Sequence, residues 1–136
     1  MKADRGFRER EHTADWELEA WAPDFPSLLE QAALGLYALS GVRLHPGERR
    51  VRRFMVSAPD QETLLVRFLN ELLYYGEQEN LGFDQLKLNL SDMSLTVEAQ
   101  GGVIAHRDKL VKAVTYHNLA VRRTEQGLEV NIVFDV

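Results

Sequence analysis

Five residues near the start of the sequence, Glu11-His12-Thr13-Ala14-Asp15, hold a carboxylate, an imidazole, a hydroxyl and a second carboxylate. Two later stretches carry groups that can join them: Thr115-Tyr116-His117 and the closing Phe134-Asp135-Val136. Asp15, Asp135 and the terminal carboxylate of Val136 would be three hard, anionic oxygen donors. Such groups repel unless a cation bridges them, and an all-oxygen set favours magnesium, calcium or manganese over zinc. The structural alternative is that Asp15 caps a local turn and the acidic end is solvated. His12 and His117 each stand beside a hydroxyl-bearing residue. Each can therefore serve as a ligand, a general base or a plain hydrogen-bond anchor. Neither has the i,i+4 partner of an H-E-x-x-H zinc helix.

These groups can meet only if strands bring them to one end of a sheet. Trp16 to Ala22 alternates, with Trp16, Leu18 and Ala20 on one side and Glu17, Glu19 and Trp21 on the other, which predicts a half-buried strand. Pro23 to Ser27 opens a helix whose apolar face is Phe25, Leu28, Leu29, Ala32, Leu36 and Leu39, with close packing expected at Gly35 and a stop at Gly41. Arg49 to Ala58 reads as a strand with Phe54, Val56 and Ala58 inward and its arginines outward. Asp60 caps a second helix over Gln61 to Glu79, striped by Leu64, Leu65, Phe68, Leu69, Leu72 and Tyr75. Leu86 to Ala99 predicts a hairpin turning at Ser91-Asp92-Met93. Gly101-Gly102 reads as a turn, Val111 to Arg123 as an extended run, and Leu128 to Phe134 as the last strand after a turn at Glu125-Gln126-Gly127. The expected fold class is α+β, a two-layer sandwich of two amphipathic helices on a mostly antiparallel sheet, in a single domain over residues 1–136. If the last strand returns beside the first, Asp15 and Asp135 share one end.

Composition narrows the function classes. The chain has 136 residues, 45% apolar and 27% charged, with no cysteine. It therefore has neither a disulfide framework nor a thiolate metal site. No apolar run spans a bilayer, and the charged start lacks a signal-peptide core, so a cytoplasmic protein without membrane contact is expected. A net charge of −5 argues against broad nucleic-acid binding. Arginines cluster at Arg49 to Arg53, and basic residues recur at Arg107, Lys109 and Lys112. Both groups read as outward strand faces, without the interleaved aromatics of a single-strand platform. Trp21 is the aromatic expected to be exposed and free for a protein contact. No Walker loop, dinucleotide fingerprint or nucleophile elbow occurs.

Three segments together resemble the signature segments of the archease family: Glu11-His12-Thr13-Ala14-Asp15, Val111-Lys112-Ala113-Val114-Thr115-Tyr116-His117, and Val133-Phe134-Asp135-Val136. Their order and the two-helix pattern between them agree as well. The resemblance implies a cytoplasmic cofactor protein, not an enzyme, whose partner is the GTP-dependent RNA ligase of tRNA splicing and RNA repair. It implies promotion of GMP transfer onto the ligase's own histidine, and repeated ligase turnover. It places a divalent-metal site (calcium, magnesium or manganese) on Asp15, Asp135 and Val136, supported by His12, Thr13 and His117, and implies no stable nucleic-acid binding. Two departures stand out. Ile104 to Lys109 replaces a longer acidic, proline-containing stretch, and Trp16-Glu17 replaces a smaller aliphatic and a glycine. Two other classes remain open: a metal-dependent hydrolase or phosphotransferase using Asp15, Asp135, His12 and His117 directly, and a chaperone-like module binding through Trp21.

Overall fold

The computed structural model describes residues 3–10 and 16–136. Along the chain run β1 (Gly6–Arg10), β2 (Trp16–Ala22), α1 (Phe25–Ser40), β3 (Arg43–Leu44), β4 (Arg50–Ser57), α2 (Gln61–Glu79), β5 (Leu81–Ser91), β6 (Ser94–His106), β7 (Ala113–Val114), β8 (Arg122–Thr124) and β9 (Gly127–Asp135). The α+β expectation holds, and every strand pair described is antiparallel. The strands divide between two sheets. In one, the order is β1-β2-β9-β7, with β8 also on β9. In the other, β6 lies between β4 and β5, and β3 pairs with its far end.

Both helices begin and end where their caps dictate. The Asp24 side chain accepts the Ser27 amide at 2.8 Å, Pro26 occupies the first turn, and Gly41 closes α1 in the left-handed conformation at φ 65°. Asp60 accepts the Thr63 amide at 2.7 Å, and Asn80 closes α2 at φ 55°. The Ser27 amide bond, first of all, holds the Asp24 carboxyl below its ordinary pKa. A group depressed in this way adds stability above its unfolded pKa and loses it as pH falls through the folded value. Asp24→Ala is accordingly expected to cost about 1 kcal/mol at neutral pH. The penalty should vanish in denaturant titrations run well below pH 4; a penalty that persists there would mean the cap works through something other than its charge.

The predicted stripes face the core: Leu28, Leu29, Ala32 and Leu36 of α1 and Leu64, Leu65, Phe68, Leu69 and Leu72 of α2 are buried together with Phe83 and Phe134. Helix α1 lies on β1 and β2, and α2 lies against β4, β5 and β7. Gly35 lets α1 approach closely, since a Cβ there would stand 2.7 Å from Leu18 Cδ2. No helix among the described residues is long and apolar enough to cross a membrane.

Three expectations need correction. Gly101-Gly102 is not a turn but lies within β6, where β5 shifts register between Phe83 and Gln85. Asp84 falls in that shift and is held by the Arg49 guanidinium. The stretch Val111 to Arg123 is not one strand: β7 and β8 are short, and a turn with Asn118 at φ 50° separates them. Finally, not all arginines of β4 point away. Arg52 has the parity of Phe54 and reaches Glu79 at the end of α2, 2.6 Å away.

Candidate functional site at the acidic end of the first sheet

The register of β2 on β9 determines what shares the end of the sheet. Trp16 pairs with Phe134, so the first residue of β2 lies opposite the one before Asp135. The ends of β1 and β2 that flank residues 11–15 are thus at Asp135's end of the sheet. His12, Thr13 and Asp15 themselves lie outside the described residues, as does Glu11.

Asp135 closes β9 with its side chain exposed, while its backbone is tied into the sheet. Ala113 pairs with it, and the Lys112 amide donates to its carbonyl at 2.8 Å. Its carboxylate makes no hydrogen bond or ion pair among the described residues. Val136 follows, also exposed. Asp135 has the outward parity expected, with Glu129 and Asn131, which are half-buried. Val133, of the same parity, is buried instead, where the Thr115 amide and Thr115 Oγ1 both donate to its carbonyl at 3.0 Å.

These same bonds position His117. Thr115 Oγ1 accepts the His117 amide at 3.3 Å, and the exposed ring has the Asn118 amide nitrogen 3.3 Å from Nε2. His117 is a turn residue, not a strand-end residue. No hydrogen bond joins it to Asp135 among the described residues, and those residues hold no group of three histidine, aspartate or glutamate side chains able to grip a metal. Asp135 by itself does fit a hard cation: it is an exposed oxygen donor without a competing basic partner.

The rim carries a feature absent from the sequence reading. Lys109 Nζ sits 3.5 Å from the centroid of the Trp16 ring, a cation–π contact at the start of β2. On β1, Arg8 and Arg10 grip the buried Glu19 carboxylate, at 3.1 Å and 3.0 Å, and so fasten the strand leading to residue 11. Trp21 is not the free aromatic expected. Its indole donates to the Ala3 carbonyl at 2.8 Å, Arg8 lies over its ring, and Gly6 packs against it. Among the described residues, the exposed large aromatics are Tyr74 and Tyr116.

The sequence profile of the archease protein family matches residues 7–136. A protein archease of Saccharolobus islandicus is 31% identical over 97% of this chain and 99% of its own length. That of Methanosarcina barkeri is 29% identical over 93% and 92%. The solution structure of protein 1598 of Methanobacterium thermoautotrophicum superposes with a TM-score of 0.69 at 23% identity, covering 96% of this chain and 99% of that one. The crystal structure of an archease, described as a possible chaperone, from Thermotoga maritima also gives 0.69, at 21% identity over 95% and 94%. Profile, relatives and fold agree along nearly the whole length, and this chain belongs to the archease family.

Proposed function

We propose that the chain is a non-catalytic activator of a GTP-dependent RNA ligase in tRNA splicing and RNA repair, with its acidic sheet end as the working site. The observation that carries this reading is the Trp16–Phe134 pairing, which sets the first residue after the Glu11-to-Asp15 motif opposite the one before an exposed Asp135, whose carboxylate makes no bond among the described residues, in an archease-family chain. In this reading Asp15, Asp135 and Val136 would hold a calcium, magnesium or manganese ion, braced by His12, Thr13 and His117. Such an ion supplies positive charge that offsets a triphosphate's. The chain's own residues do the rest. The Lys112 amide and the β7 pairing fix the Asp135 backbone, and Lys109 packs over the Trp16 ring at the rim. Glu19, clamped by two arginines, holds the β1–β2 hairpin.

The deciding experiment is multiple-turnover RNA ligation by the cognate ligase with GTP and a divalent metal, with and without substoichiometric amounts of this protein. Stimulation with repeated turnover is expected, together with faster ligase guanylylation. A folded, metal-supplied protein that leaves the rate unchanged would remove the activator reading.

A further inference from the structure

A groove of about 350 Å³ opens between α1, α2 and the segment joining β6 to β7. Its floor is apolar, built from Leu36, Leu72, Leu81, Ile104 and Val111. Its rim is basic, with Arg107, Lys109 and Lys112 against one acid, Glu77. Leu110, on the same rim, is 54% exposed.

Among the described residues, most basic side chains away from this rim are ion-paired, Arg43, Arg67 and Arg123 excepted. The chain carries five more acidic than basic residues, and Arg49, Arg52, Arg53 and Arg122 are each paired with a carboxylate. Arg107 and Lys112 have no ion-pair partner among the described residues. Two unsatisfied cations beside an apolar floor complement a ligand that is itself apolar and acidic. The groove is also held open before any ligand arrives. The Ser40 carbonyl accepts both the Asp108 and the Lys109 amides, at 2.9 Å and 3.1 Å, and the Lys112 amide is fixed on Asp135. A site pre-ordered in this way spends less on closing around its ligand. That last bond also makes the groove continuous with the acidic sheet end.

We propose that this groove seats an acidic segment of the chain's protein partner, with one large apolar side chain on the floor and flanking carboxylates on Arg107 and Lys112. The proposal rests on the reading above that the chain acts by docking on another protein. RNA would offer anions to the same cations, but the floor presents aliphatic side chains where base stacking needs open aromatic faces. The one aromatic in the lining, Tyr37, has its hydroxyl buried. Burial raises that phenol far above its ordinary pKa, so it stays neutral and adds no charge to the site.

The test does not need the ligase. A fluorescently labelled twelve-residue peptide in which leucine and phenylalanine alternate with aspartate and glutamate is titrated with the full chain, and anisotropy is read. Binding on the order of 10 µM at low salt is expected. Arg107→Glu with Lys112→Glu, and separately Leu110→Asp, should each weaken it about tenfold or more while circular dichroism stays unchanged. Absence of binding, binding no weaker in either variant, or equal competition by an oligouridylate of the same charge would overturn the proposal. Peptide binding that survives while ligase stimulation is absent would overturn the activator reading alone.

Discussion

Asp135→Asn is expected to lower divalent-cation affinity at least about a hundredfold and to abolish ligase stimulation, with the fold intact. The reasoning starts from what the carboxylate does not do. It makes no bond among the described residues and is exposed, so its loss should change stability by less than about 0.5 kcal/mol. Asparagine keeps the shape and one carbonyl oxygen but removes the charge, and hard cations are bound chiefly through charged oxygens. Calorimetric titration with calcium and with manganese, beside the turnover assay, separates the outcomes. Metal affinity unchanged with stimulation lost would make Asp135 a partner contact. Both unchanged would empty the proposed site.

The largest stability effect is expected at Gly101. A Cβ there would stand 1.8 Å from the Gly82 carbonyl oxygen and 2.7 Å from Phe83 Cα. Both contacts are backbone, in the paired strands β5 and β6, so no side chain can swing aside. Gly101→Ala must reopen the register shift between Phe83 and Gln85, at a cost of about 3–5 kcal/mol. For a chain of this length the melting midpoint should fall by roughly 10–15 °C. Gly76→Ala supplies the opposite sign. Its Cβ would meet nothing closer than 3.7 Å on helix α2, and alanine there should add about 0.5–1 kcal/mol. If the two variants melt alike, the close approach of the strands is not what glycine serves at position 101.

Much of the scaffold was legible because its signals are local. Asp24 and Gly41 bracket α1, Asp60 and Asn80 bracket α2, and the Leu86 to Ala99 alternation fits the hairpin turning at Asp92. Gly101 was misread because a glycine pair signals a turn equally well as a place where two backbones touch. The run from Val111 failed differently. Its alternation ends after β7, where the Thr115 hydroxyl and amide are spent on the Val133 carbonyl, and the chain turns at Asn118. The Trp21 surface was misjudged because parity predicts which face a residue takes but not whether Gly6 and Ala3 cover it. Of the candidate site, the sequence supported only the conditional expectation that β9 returns beside the first strands, which the β2–β9 pairing meets; the register that sets Phe134 opposite Trp16 came from the structure. The groove could not, because Tyr37, Leu72, Ile104 and Lys112 come from four separate stretches, and no spacing in the sequence connects them.

Strand β9 pairs with β2 along one side and with β8 and β7 on the other. It is also the last element in order. The edge of β2 that faces away from β1 is covered only by residues 127–135, a pairing across more than a hundred residues of sequence. Before that pairing forms, Leu18 and Ala20 have no cross-strand neighbours from β9, and the Trp16 end has no Asp135 beside it. Without residues 127–135 the first sheet is therefore unfinished.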